Sequence, residues 1–389
     1  MRNNSILLAC LITVNQMVFA QVYPVFGPEK KVTISGLTFD AMEPFISPDG
    51  NTLFFNSLNS GGNTNLYYAT RINDTTFTFA GLVNGTYDPS PNHLDAVASL
   101  DSLNNFFWVS GRNYPAQMEN LHRGIYSGGN VTGITRVYGS FNIYSFSYPY
   151  GWMIMDAAIN YQSDKLYFCN AFFDFSGATC PGVPCEAKLG IAQKVNDSTF
   201  NKIPNSNAIF SNINDTLNYI IYAPQVTKDG LEIYFTRLQK NTINTEICVS
   251  VRNSIADTFS LPMVIYSNPG FVPEAASPTT DKQKIYYHQK DSSGLHRIFL
   301  RYRIQPSGIS DPVSVGVFTV YPNPTRGFFN LRPPTTSAPF TVSVYNVLGE
   351  EVLKFSNQTN LDISNLPGGV YLLTLNQVNG IYTTRVIKE

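Results

Sequence analysis

Four acids stand at comparable points of a repeated pattern. Glu43, Asp95 and Asp156 each lie eleven residues before an aromatic pair, and Glu274 lies twelve before one. Carboxyl groups brought to one end of a channel could run glycoside hydrolysis, one giving a proton while another acts as nucleophile or base. The same acids could instead be caps that accept backbone N–H bonds from a neighbouring strand. A feature present in four of five copies, with Ala223 in the remaining one, is more economically structural. Other catalytic arrangements are missing: the chain has no Gly-x-Ser-x-Gly elbow, no His-Glu-x-x-His and no Gly-rich phosphate loop. The four histidines, His93, His122, His288 and His296, are scattered. His288 and His296 could face each other across one hairpin, which reads more readily as a surface pair than as a metal site. Neither cofactor nor metal is expected.

The elements that position these acids repeat as well. Glu43 opens EPFISPDGNTLFFNS, in which Asp-Gly separates two apolar runs and signals a hairpin. Its aromatic pair Phe54-Phe55 recurs as Phe106-Phe107, Tyr167-Phe168, Tyr234-Phe235 and Tyr286-Tyr287. A turn aspartate precedes each pair: Asp49, Asp101, Asp164, Asp229 and Asp281. A third strand follows every copy and a weaker fourth element follows the first four. Units of four strands, spaced 52, 61, 67 and 51 residues apart at the acid position, predict an all-β protein built on a propeller. The Ser-Pro-Asp-Gly turn with its aromatic strand resembles the WD40-like PD40 repeat of TolB-type propellers, over roughly Phe39 to Ile304. That resemblance implies a fold but no function.

Five blades are countable, and the interval from Asn205 to Ile221 leaves room for a degenerate sixth. The fifth copy lacks a fourth strand, and Lys31–Ser35 is a spare one near the N-terminus. Its pairing with the last blade would close the ring and hide both edges.

Composition sets the compartment and excludes some partners. The 389 residues carry 13% aromatic and only 14% charged side chains, with 27 glycines and 24 prolines. A formal net charge of −1 gives no electrostatic footprint for nucleic acid. Arg2, the apolar run Ile6 to Val14 and the small residue Ala20 fit a cleaved secretory signal over residues 1–20, too short an apolar run to span a membrane. No later segment is long and apolar enough to span. Export permits disulfides among Cys169, Cys180, Cys185 and Cys248, and Cys180-Pro-Gly-Val-Pro-Cys185 could close on itself.

From Val317 the texture changes to six or seven short strands, which read as a small Ig-like β-sandwich. Tyr321-Pro322-Asn323-Pro324 with Gly327, Val344-Tyr345-Asn346 with Gly349, Leu366-Pro367-Gly368-Gly369-Val370-Tyr371 and the closing Arg385-Val386-Ile387-Lys388 follow in order. These residues closely resemble the type A C-terminal sorting domain of the type IX secretion system. The resemblance implies passage through the periplasm and then across the outer membrane by the type IX translocon, to the cell surface or the medium.

The chain therefore divides into a signal (1–20), a propeller (21–312) and a sorting domain (313–389). The ring-rich stretch from Phe141 to Trp152 could stack on a ligand at the channel mouth or pack between blades. The expected role is recognition of a glycan or protein at the cell surface. The rival is a polysaccharide-degrading propeller enzyme that uses the acids.

Overall fold

A computed structural model describes residues 22–389 apart from 60–62, 87–92, 113–120, 143–144, 243, 305–317, 333–338, 347–349 and 378–379. The expected signal and Gly349 lie outside the described residues. The described chain forms two compact units that part at Ile304/Gln305.

The first unit holds five sheets, each following the repeat in sequence order and antiparallel except for one N-terminal strand. The innermost strands are Met42–Ile46, His93–Leu100, Tyr150–Ile159, Tyr219–Val226 and Glu274–Pro278. Each aromatic pair lies on the next strand outward and is at most 2% exposed, so these rings form the greasy layers between blades. Successive sheets pack face on face: Phe54 meets Phe106 of the next blade at 5.1 Å between ring centres. The interval 205–221 contains no sixth sheet. Its helical turn Ser206–Ile209, with Phe210 and Ile213, plugs the core between the third and fourth blades.

The turn aspartates cap their hairpins. Asp49 accepts the Asn51 N–H at 3.1 Å, Asp229 the Leu231 N–H at 3.1 Å and Asp281 the Gln283 N–H at 3.0 Å. Asp101 accepts the N–H groups of Leu103 and Asn105, both at 2.8 Å. In the third blade Asn160 takes over, its Oδ1 accepting the N–H of Asp164 and of Lys165. Gly50 and Gly230 supply the left-handed residue that follows the turn aspartate, and Lys282 adopts φ +60° at the same place. An ion pair from Lys282 to Asp229 of the preceding blade, at 2.7 Å, helps to offset that strain.

Ring closure differs from expectation. Lys31–Ser35 does not act as one strand. Val25–Phe26 and Lys30–Lys31 pair with the last blade's His296–Ile304, whereas Thr33–Ser35 crosses to the first blade and runs parallel to Thr76–Leu82. The N-terminal segment thus stitches two blades together. Its anchor is Glu29, whose Oε2 accepts from Tyr266, Tyr287 and Gln289 at 2.5, 2.8 and 3.0 Å.

The second unit is a two-sheet sandwich. Thr319–Tyr321, Phe328–Arg332 and Asn360–Asp362 face a sheet of Phe340–Tyr345, Glu351–Ser356, Gly369–Gln377 and Gly380–Lys388. Phe329, Leu331, Val342, Leu361, Leu373 and Val386 fill the space between them. Asn323 pins the last strand, its Nδ2 donating to Arg385 O and its Oδ1 accepting the Ile387 N–H, both at 2.8 Å. Lys388 reaches back to the carbonyls of Ser364 and Leu366, and the Tyr371 hydroxyl closes on Pro367 O at 2.7 Å. Gly327 has φ +136°, and a Cβ there would stand 2.8 Å from the Ser364 backbone. Pro322 and Pro324 both follow cis peptide bonds.

Candidate functional site

Every innermost strand carries a β-bulge, and the bulges build the site. They fall between Met42 and Phe45, Ala96 and Ser99, Ile154 and Asp156, Tyr222 and Gln225, and Glu274 and Ser277. In four of them one residue is left-handed: Glu43, Val97, Ala223 and Ala275, with φ between +50° and +56°. Such a residue turns its N–H out of its own ladder, towards the preceding blade. Val97 N donates to Asn56 Oδ1, Ala275 N to Thr236 Oγ1 and Glu43 N to His288 Nδ1. In the third blade Cys169 occupies the acceptor's place on the second strand. There Asp156 substitutes, accepting the Ala223 N–H at 3.0 Å.

The four acids of the repeat are consequently not equivalent in space. Glu43 sits within a bulge and Asp156 just past one. Glu274 sits one residue ahead of its bulge, where the fourth blade carries Tyr222. Asp95 is fully buried, and it does not line the cavity to which its neighbours Leu94 and Ala96 contribute. Alternation along a strand accounts for this, since adjacent side chains take opposite faces.

Glu43, Asp156 and Glu274 converge. They line a cavity of about 280 Å³ to which all five innermost strands contribute, at one end of the ring. Asn59 Nδ2 donates to Glu43 Oε1 at 3.2 Å, and the Tyr222 hydroxyl donates to Glu274 Oε1. Glu274 Oε2 lies 3.4 Å from His288 Nε2. Glu43 Oε2 is buried with no hydrogen-bond partner among the described residues. Burial, then the charges of Asp156 and Glu274, push Glu43 up to about 8. Burial also pushes Asp156 up to about 7, with Glu274 adding to the rise and the Ala223 N–H opposing it. Burial would raise Glu274 too, but the His288 contact and the Tyr222 hydroxyl outweigh it and leave Glu274 below its ordinary value. His296, its ring 5.2 Å from that of His288, is lowered to about 4 by burial and then by His288. Near neutrality, then, an ionised Glu274 faces a protonated Glu43 and an Asp156 in mid-titration.

Asn59, Tyr222 and His288 complete the site alongside the acids. A further wall comes from Gly182, Val183 and Pro184, inside the loop closed by the Cys180–Cys185 disulfide. Cys169 and Cys248 are buried free thiols. No group of three or more metal-ligating side chains occurs among the described residues. The ring-rich stretch divides: Phe141 is buried against Phe168 while Tyr148 and Tyr150 are exposed, and Trp152, its ring tilted against Phe172, does not reach the cavity.

Residues 319–389 match the family of the secretion system C-terminal sorting domain. The matched segment is a type IX sorting tail, and it directs secretion to the cell surface or beyond. No curated protein matches the chain. Among solved structures it is similar to a family 117 glycoside hydrolase of the marine bacterium Zobellia galactanivorans, at 10% identity and a TM-score of 0.45, over 72% of this chain and 90% of that one. It is also similar to an endo-arabinase from Bacteroides thetaiotaomicron (11%, TM-score 0.43, 70% and 96%) and to TolB from Acinetobacter baumannii (10%, TM-score 0.33, 69% and 55%). Its five sheets and its matched tail make the protein an exported five-bladed propeller with a sorting sandwich. No helix among its described residues is long and apolar enough to cross a membrane.

Proposed function

We propose that this propeller, built of PD40-type repeats, recognises a small polar unit of a glycan in the cavity at the mouth of its channel, after type IX sorting has delivered it outside the cell. The observation that carries this reading is Glu43 Oε2, a buried carboxyl oxygen without a hydrogen-bond partner among the described residues, in a cavity lined by two further carboxyls. A buried polar atom left bare costs free energy that a ligand hydroxyl would recover. The volume suits one ring-sized unit. Protonated Glu43 offers both a donor and an acceptor, and ionised Glu274 accepts. Titration calorimetry of the exported protein against a panel of oligosaccharides tests the idea. Glu43→Gln should weaken binding about tenfold or more without lowering Tm. Absence of saturable binding across the panel would sink it.

A second reading uses the same groups for chemistry. Glu43, which holds its proton near neutrality, beside an ionised Glu274 would be the acid and base that glycosidic cleavage needs. Against it, Asp156 is engaged by the Ala223 N–H and Glu274 by Tyr222 and His288, so both also serve the joins between blades. Release of reducing sugar by the parent, lost in Glu43→Gln with a Tm no lower than the parent's, would establish the hydrolytic reading over simple recognition.

A further inference from the structure

The cavity lining is of two chemistries. Glu43, Asn59, Asp156, Tyr222 and Glu274 are polar. Every other lining side chain is apolar, and among these Met155, Val183 and Leu238 gather at the core between the third and fourth blades as an apolar wall. The apolar wall is held in place: Val183 and Met155 pack on the core between the third and fourth blades, and the disulfide closes the loop of Val183 and Pro184. Lys240 Nζ donates to Cys185 O at 2.8 Å, tying that loop to the fourth blade.

An ordinary hexose carries a polar group on nearly every ring carbon, and its C–H face is commonly taken by a flat aromatic ring. Here Tyr222 is the one aromatic side chain in the lining among the described residues, and its hydroxyl is committed to Glu274. A ligand hydroxyl pressed against thioether and aliphatic groups would lose its water and gain no partner. A methyl group in that place is favoured by burial.

We infer that the cavity is built for a 6-deoxyhexose, its ring hydroxyls on the carboxyl wall and its methyl group on the wall of Met155, Val183 and Leu238. This rests on the proposal that the cavity binds a sugar. The thioethers suit the task, since Met side chains adapt to an irregular apolar ligand surface.

The test uses the full exported chain and matched pairs of methyl glycosides that differ only at the C6 oxygen: L-fucoside against L-galactoside, and L-rhamnoside against L-mannoside. Calorimetry should show the deoxy member of at least one pair binding about tenfold to a hundredfold more tightly. Val183→Thr keeps the shape of the wall while adding a hydroxyl, and should narrow that gap. Equal affinities within both pairs, or preference for the hydroxymethyl member, would overturn the deoxy assignment and leave the sugar site standing. If neither pair binds while larger glycans of the oligosaccharide panel do, the deoxy assignment falls alone. If nothing in the panel binds, both fall together. Tighter binding of the simple amine propylamine than of any neutral sugar would also overturn both, because ionised Glu274 would then be a cation site.

Discussion

The main-chain N–H of Glu43 donates to Nδ1 of His288 at 3.0 Å, joining residues 245 apart in the chain. This bond closes the ring between the first and last blades. It repeats the bonds from Val97 to Asn56 and from Ala275 to Thr236 at two other joins. Accepting at Nδ1 places the His288 proton on Nε2, which faces Glu274 Oε2. One imidazole therefore serves the seam with one nitrogen and the cavity with the other.

His288→Ala should leave the Glu43 N–H without its acceptor and cost about 1–3 kcal/mol in urea unfolding. His288→Asn should recover part of that loss, because Asn56 fills the equivalent place in the first blade. Equal stability of the Ala variant and the parent would show that the seam does not depend on this bond.

Stability should depend on pH through the carboxyl cluster. Glu43 is raised from 4.5 to about 8 and Asp156 from 3.8 to about 7, so the folded chain binds more protons than the unfolded chain across that window. Stability then falls as pH rises from about 4 to about 8. Glu274, being lowered, acts in the opposite sense: its contribution is present above its ordinary value of 4.5 and is lost as pH falls through its folded value. Glu43→Gln removes one raised group, so its Tm should exceed the parent's at pH 8, with the gap closing towards pH 5. Melting curves of the two proteins that run parallel from pH 5 to 8 would contradict this assignment.

Glu29 should matter more than an exposed acid would. Glu29→Ala removes one acceptor from Tyr266, Tyr287 and Gln289 together, and Tyr287 is fully buried. A loss of about 2–3 kcal/mol is expected, from one buried hydroxyl and two further donors. Tyr287→Phe in the Glu29→Ala background should restore some stability by removing the orphaned hydroxyl. A double variant no more stable than Glu29→Ala alone would argue that the hydroxyl finds water.

For the sorting unit, deletion of residues 317–389 should leave a folded propeller in the periplasm. Asn323→Ala should do so partially, because it frees the last strand at Arg385 and Ile387. Cell fractionation reads both. Normal surface delivery of the deletion form would remove the tail from the export route.

The blades were legible because an aromatic pair with a turn aspartate three to five residues ahead of it recurs five times, the pair marking a buried strand and the aspartate a turn. The turn survives even where its glycine does not, since Lys282 takes the left-handed place and finds Asp229. The site was half legible. Glu43, Asp156 and Glu274 stood out, but counting residues back from the aromatic pair could not see the bulges that set their directions. The twelve-residue offset of Glu274 was the trace of that displacement, and it groups Glu274 with Tyr222. Asp95 shared the count without sharing the cavity, because strand alternation turned it to the other face. His288 is the cross-strand neighbour of Glu274 and bonds the Glu43 N–H of the first blade, while Val183 comes from the disulfide-closed loop of the third blade; no local pattern announces that these meet in one cavity. Closure was read in outline and misplaced in detail, since Lys31 and Thr33 belong to different blades.

The double stitch of residues 25–35 has a temporal consequence. Val25 pairs with Ile304 and Lys30 with Leu300, so the first strands to emerge during synthesis have no partner until the last blade exists. The chain must carry an unfinished edge through nearly its whole propeller, and the final fold is gated by arrival of the segment just ahead of the sorting tail. Loss of that late segment would leave four sheets with a dangling leader, a form that proteases can distinguish from the closed ring.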